Sequence, residues 1–204
     1  YATICVVPSG ANSSENFELV AGFAANLATA FEADGHLTQL ISSRKLETYL
    51  GPGSGGVKLD DFFFREQVSQ WLIDQEEIYT YQVMLADATS TAWTQLCIRQ
   101  ADCILCVADA RDSPSLSDVE NSLLFLRSKD GKRADPQSPR RDSTVYTRQQ
   151  ARKELVLLHR GDPATMRRPR NTRRWFKDRP SIREHHHVRW HVEVSRGTEL
   201  GTEV

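Results

Sequence analysis

The sequence predicts an α/β domain with a mostly parallel five-stranded sheet and helices on both faces, a three-layer, Rossmann-like arrangement in the broad topological sense. Three observations predict it. Short runs that are apolar throughout, such as Thr3-Ile4-Cys5-Val6-Val7, read as strands buried on both faces. Segments with apolar residues at helical spacing alternate with those runs, as parallel strands joined by crossover helices require. The 204 residues also suffice for one compact domain with its own core.

Taken in order, residues 3–8 read as the first strand. Residues 15–34 then read as a helix, because Phe17, Val20, Ala24, Leu27 and Phe31 fall on one stripe. Asn12, with Glu15 three positions on, suits the N-cap of that helix, and Gly35 suits its stop. Residues 37–41 form a second strand, and the glycine-rich stretch 51–56 reads as a flexible loop. A helix over 60–78 carries Phe64, Val68, Trp71 and Ile78 at helical spacing. Residues 82–87 are the third strand, 91–101 a helix and 103–107 the fourth strand. Leu116, Val119, Leu123 and Leu126 mark another amphipathic helix. The fifth strand covers 155–159, and a short helix falls near 171–178. The domain is expected over 1–190, with a polar, charged, disordered insertion at 129–150 and an irregular tail at 191–204.

Net charge is −1, yet the two halves differ: residues 1–100 sum to −7 and 101–204 to +6. An anionic partner would therefore meet the second half. No apolar stretch approaches the ~20 residues needed to cross a bilayer, and there is no signal peptide, so the chain is expected to be soluble. A start at Tyr1 that runs at once into a strand fits a segment excised from a longer protein. Of the four cysteines, Cys103 and Cys106 match CxxC, but positions i and i+3 of a strand point to opposite faces. Buried, reduced thiols are expected.

The turn after the first strand, Ser9-Gly10-Ala11-Asn12-Ser13-Ser14, stands where α/β proteins bind phosphates, at a helix N-terminus with free N–H groups. A P-loop needs GxxxxGK followed by Ser or Thr, however, and this turn has one glycine and no lysine. The expectation is a helix start in an inherited, inactive site. The alternative is an anion pocket formed by Ser9, Gly10 and Asn12 with Asp87 and Asp109, which end the third and fourth strands where open sheets place their sites. No cofactor and no metal ion is expected. Ser54, in Pro52-Gly53-Ser54-Gly55-Gly56, lacks the glycine two residues before it that a nucleophile elbow requires, so no catalytic residue is assigned.

His185, His186, His187 and His191 suggest a metal site only weakly, although His185 and His187 would share one face of an extended stretch. The basic run of Arg167, Arg168, Arg170, Arg173, Arg174, Lys177, Arg179 and Arg183 contains Trp175 and Phe176. It reads as a solvated face or as a surface docking on another domain. An acidic membrane surface is the further partner considered, and nucleic acid is not expected.

Three ordered blocks carry a family resemblance. Ala92-Trp93-Thr94-Gln95-Leu96-Cys97-Ile98-Arg99-Gln100-Ala101-Asp102-Cys103-Ile104-Leu105, then Ala151-Arg152-Lys153-Glu154-Leu155-Val156-Leu157-Leu158-His159, then Asn171-Thr172-Arg173-Arg174-Trp175-Phe176-Lys177-Asp178-Arg179-Pro180 with His185-His186-His187-Val188, resemble blocks of the neuropathy target esterase family. These are the fungal-type lysophospholipases among the patatin-like phospholipases. The resemblance covers most of 1–190, more weakly before Tyr81, and departs from the family at 129–150 and 189–204. It implies a region between cyclic-nucleotide-binding-like domains and a patatin hydrolase domain, in a protein at the cytoplasmic face of the endoplasmic reticulum. The family's Ser–Asp dyad hydrolyses phosphatidylcholine and lysophosphatidylcholine. Neither its GxSxG serine, nor its DGG or DGA aspartate, nor its glycine-rich oxyanion loop occurs here. The expected function is a non-catalytic linker or regulatory domain of such a hydrolase, with a nucleotide- or phosphate-binding module as the alternative.

Overall fold

The computed structural model describes residues 2–124, 151–161 and 171–190. The insertion expected at 129–150 and the tail at 191–204 lie outside the described residues. Among the described residues, six strands form one all-parallel sheet: β1 (Ala2–Pro8), β2 (Thr38–Ser42), β3 (Tyr81–Leu85), β4 (Cys103–Asp109), β5 (Arg152–Arg160) and β6 (Glu184–Trp190). The helices are α1 (Phe17–Ala33), α2 (Ser43–Leu50), α3 (Phe62–Glu76), α4 (Ala92–Gln100) and the single turn α5 (Arg173–Phe176). A 3-10 turn (Val57–Asp60) and a π-helical turn (Glu120–Leu124) complete the described elements.

The α/β class and the parallel sheet stand as expected, with one strand more. The sixth, β6, contains Glu184, His185, His186 and His187 in place of an apolar run, so it carries no hydrophobic signal of its own. It forms because the apolar β5 offers it a free edge, with Leu155 opposite His185 and Leu158 opposite Val188. The strand order is β2-β3-β1-β4-β5-β6. Here β3 lies beside β1, whereas the familiar doubly wound order places the second strand there. The chain leaves β1 for one side of the sheet and later crosses to β4 on the other. The crevice at this change of direction opens at the C-terminal ends of β1 and β4.

Among the described residues, the two faces are covered unequally. On one, α1 is the one described helix, and it packs Leu19, Val20, Phe23, Ala24 and Ala28 on Val6, Val83, Val107 and Val156. Gly22 sits mid-helix, where glycine normally costs about 1 kcal/mol relative to alanine. A Cβ at Gly22 would lie 3.0 Å from the Trp190 ring, so the glycine lets β6 close under the helix. On the other face, α2, α3, α4 and α5 gather around Trp93, Leu96, Met84, Ile104, Leu157 and Trp175.

Several local expectations change. Asn12 does not cap α1, which begins later, after Asn16. The stretch 51–56 is a folded turn: Ser54 is fully buried and donates to the Gly51 carbonyl, and a Cβ at Gly55 would strike the Ser43 backbone. All four cysteines are free thiols. Cys103 and Cys106 lie three apart in β4 and so face opposite ways. Burial, reinforced by the neighbouring Cys5, pushes the Cys97 thiol well above its ordinary value.

Candidate functional site

At the crevice, the backbone amides of Gly10 to Ser13 are already engaged. The Gly10 N–H donates to Glu120 Oε2 at 3.2 Å, and the Asn12 N–H donates to Asp112 Oδ2 at 3.0 Å. Ala11 N–H donates to the Ser113 carbonyl, and Ser13 N–H to that of Gly10. Two side-chain carboxylates of the chain itself thus occupy positions where a phosphate would seek donors. The Asn12 amide also donates to Asp112 Oδ1 at 2.6 Å, and the Asn16 amide reaches Oδ2 at 3.4 Å.

Glu120 is held in place by a lock built from three elements. Its N–H donates to Ser117 Oγ at 3.2 Å, while its Oε2 accepts from the Ser117 N–H at 2.9 Å, a reciprocal capping box. Arg179 then grips both carboxylate oxygens, Nε to Oε1 at 2.6 Å and Nη2 to Oε2 at 2.8 Å. Both side chains are 0 % exposed. The remaining arginine nitrogen, Nη1, donates to the carbonyls of Pro114 and Trp175, and the guanidinium lies 5.1 Å from the Trp175 ring centre. Such a buried ion pair is tolerable only because nearly every donor and lone pair is used.

Gly10 is a glycine for a structural reason. Its φ is +89°, and a Cβ there would stand 3.0 Å from Asp112 Oδ2 and 3.3 Å from the Trp175 ring. The close approach at this turn is made by the chain's own carboxylate and tryptophan.

The other candidates divide accordingly. Ser9 is buried, extends the sheet ladder through its N–H to the Val107 carbonyl, and donates its hydroxyl to the Val7 carbonyl. Asp109, at the end of β4, accepts from the Arg111 N–H and pairs with the guanidiniums of Arg111 at 3.1 Å and Arg160 at 2.9 Å. Burial works against its charge, but those arginines more than offset it and hold the carboxyl below its usual value. Asp87 accepts from Ser43 Oγ and Thr91 Oγ1, tying α2 and the start of α4 to the end of β3. β1 lies between their strands, and by register Asp109 stands two residues further along its strand than Asp87, so the two are more than two strand spacings apart, on the order of 12 Å. The structure therefore brings Ser9, Gly10, Asn12 and Asp109 to one crevice and leaves Asp87 beside it.

The histidines split by strand alternation. His185 and His187 share a face as expected, and His187 Nδ1 lies 2.7 Å from His159 Nε2. Burial lowers the pKa of both His159 and His187, so each favours the neutral ring. His186 faces the other way, against Glu154, and His191 lies outside the described residues. The basic run also divides. Arg167, Arg168 and Arg170 lie outside the described residues, whereas Arg173, Arg174, Lys177 and Arg183 are exposed. Arg179 is no part of a basic surface, and Trp175 is in the core rather than free to stack on a base. Among the described residues, no helix is long and apolar enough to cross a membrane.

Sequence reading missed Asp112 and Glu120, and placed the buried Arg179 in a basic run. The Ser117-x-x-Glu120 spacing was a legible signal for a capping box. Nothing local announced that its glutamate would reach Gly10, 110 positions away.

Comparison with known proteins completes the picture. A family model described as "Neuropathy Target Esterase family P-loop like domain" matches residues 1–135 and 139–201. The chain is 35 % identical over 191 residues to Lysophospholipase NTE1 of Cryptococcus neoformans var. neoformans serotype D (strain JEC21), covering 91 % of this chain and 9 % of that protein. It is 32 % identical over 185 residues to Lysophospholipase NTE1 of Saccharomyces cerevisiae, covering 90 % and 9 %. It is 31 % identical over 187 residues to Patatin-like phospholipase domain-containing protein 7 of Mus musculus, covering 92 % and 11 %. The chain thus spans about a tenth of the length of these relatives. No solved structure matches.

Proposed function

Since the chain belongs to the neuropathy target esterase family as its P-loop-like domain, we propose that it is a non-catalytic regulatory module of a serine lysophospholipase. It fixes the geometry between a patatin hydrolase domain and cyclic-nucleotide-binding-like domains, at the cytoplasmic face of the endoplasmic reticulum. One observation carries the reading: the Gly10 and Asn12 amides of the phosphate-type turn are taken by Glu120 and Asp112, and Arg179 holds Glu120 in place. An anion entering there would meet carboxylates where it needs donors. The exposed Arg173, Arg174, Lys177 and Arg183 would then meet a neighbouring domain or acidic lipid headgroups.

The test has two arms. Millimolar ATP, GTP or inorganic phosphate should leave the melting temperature of the isolated chain unchanged, whereas a working site at 100 times its Kd would stabilise by about 2.7 kcal/mol. A reproducible rise would favour the nucleotide- or phosphate-binding module instead. In a full-length relative, replacing this domain by a flexible linker of equal span should sharply lower lysophosphatidylcholine hydrolysis, although the hydrolase domain is intact. Undiminished hydrolysis would remove the positional role.

A further inference from the structure

Three histidines meet where β5 and β6 adjoin α5. His159 Nε2 of β5 lies 2.7 Å from His187 Nδ1 of β6, and His187 Nε2 lies 3.3 Å from Thr172 Oγ1, at the start of α5. The His185 ring meets His187 edge-on, with centres 5.2 Å apart, and it meets Phe176 of α5 in the same way at 5.2 Å. Two strands and one helical turn are thus joined through imidazoles, on the face of the sheet opposite to His186 and Glu154. The turn so joined is the one that carries Trp175. That tryptophan packs beside Gly10, and its carbonyl accepts from Arg179 at 3.1 Å.

A hydrogen bond between two imidazoles needs one nitrogen that carries a hydrogen and one that does not. In the neutral pair either ring can donate. His187 Nε2 then matches the Thr172 hydroxyl in both cases, as donor when Nδ1 is bare and as acceptor when Nδ1 is protonated. One added proton keeps the contact, because an imidazolium donates to a neutral neighbour. A second proton ends it: both facing nitrogens carry hydrogens, and two positive rings stand together. Among the described residues, the charged groups around the pair are mostly cationic. Arg189 is the direct cross-strand partner of His159, and the α5 segment carries exposed Arg173, Arg174 and Lys177 with a half-buried Asp178. Asp109, at the end of β4, favours a charged His159, but Arg111 and Arg160 already pair with that carboxylate.

We propose that the His159–His187 pair is a proton-sensitive latch, which holds α5 against β6 at neutral pH and loosens it when the second ring takes up a proton. The direction follows from the surroundings. Burial lowers the pKa of both rings, and at His187 the neighbouring His159 and His185 lower it further. At a given pH the folded chain therefore holds fewer protons on these rings than the unfolded chain does. Their contribution to stability is complete above the ordinary histidine value of 6.5 and is lost as pH falls through the lower folded values. Because the rings interact, the protons arrive in two steps that belong to the pair rather than to either residue. The inference concerns this chain alone and does not rest on the regulatory reading.

The experiment follows the ring nitrogens of the full chain by NMR from about pH 8 to pH 5, a range that spans histidine titration. At the upper end, one of the two facing nitrogens should be protonated and the other bare. On acidification the two rings should titrate as a coupled pair. Hydrogen exchange supplies the second readout, expressed as protection relative to an unstructured amide at the same pH. The amides of Arg174 and Trp175, which bond within the turn, should lose at least ~10-fold of their protection across that range. His159→Gln and His187→Gln keep a hydrogen-bonding side chain that takes up no proton, so either should flatten the pH dependence. His186→Gln, on the opposite face, should leave it intact. Independent titration of the two rings at ordinary histidine values would overturn the proposal in the wild-type chain, whatever the variants do. Protection of α5 that stays constant with pH, or that falls equally in both glutamine variants, would overturn it as well.

Discussion

Arg179 shows how much one side chain can decide. In sequence it sits in a basic run, where solvent exposure is the ordinary expectation, yet it is wholly buried and uses Nε, Nη1 and Nη2. Removing one partner of such a pair leaves the other as an uncompensated buried charge. Arg179→Met should therefore cost about 3–5 kcal/mol in chemical denaturation, because Glu120 would lose its counter-charge while still facing Gly10. Arg179→Lys should recover only part of the loss, since an ammonium cannot bridge both oxygens and two carbonyls in one plane. A cost below about 1 kcal/mol for Arg179→Met would mean that the lock does not hold the turn.

At the scale of elements, legibility follows how local the signal is. β1, β3 and β4 start within a residue or so of expectation, and α4 occupies almost the expected span, because apolar run and helical period are properties of neighbouring residues. β6 was not legible, since its pairing depends on the edge that β5 presents. α2 (Ser43–Leu50) was missed for another reason: it buries only Leu46, too little to make a stripe. The candidate site was legible as a place, the turn after β1, but its occupants were not. Asp112, Glu120 and Arg179 come from segments about 100 or more positions away. α4 offers the sharpest test at this scale. Thr91 caps it by accepting from the Thr94 N–H, and the fully buried Trp93 donates Nε1–H to the Leu85 carbonyl at 2.8 Å, pinning the helix to β3. Trp93→Ala should cost ~3–5 kcal/mol in denaturant unfolding, from lost burial and the residual cavity. Trp93→Phe should cost only ~1–2 kcal/mol, mainly for the orphaned carbonyl. Equal losses in the two variants would show that the hydrogen bond, and not the packing, anchors α4.

For the whole molecule, the unequal covering of the sheet by the described residues predicts an order of opening. β1, β4 and β5 each pair on both sides, and their central residues, among them Val6, Cys106, Val107 and Leu157, are almost fully buried. Among the described residues β6 pairs with β5 alone, and its helix-side residues Val188 and Trp190 are only half-buried beside a shallow groove with Phe23 and Leu27. Local opening of β6 exposes little apolar surface, whereas parting β1 from β4 dismantles both core layers. Native-state hydrogen exchange should therefore show β1 and β4 amides exchanging only through global unfolding, at the full stability of about 5–15 kcal/mol. The β6 amides bonded to β5 should exchange at least ~100-fold faster, through a sub-global opening. Gly22→Ala should widen that gap, because a Cβ there crowds the Trp190 ring and loosens the seat of β6 on α1. Exchange from β6 as slow as from β1, in wild type and variant alike, would show that the edge strand belongs to the same cooperative unit as the centre of the sheet. The uneven covering would then have no energetic consequence.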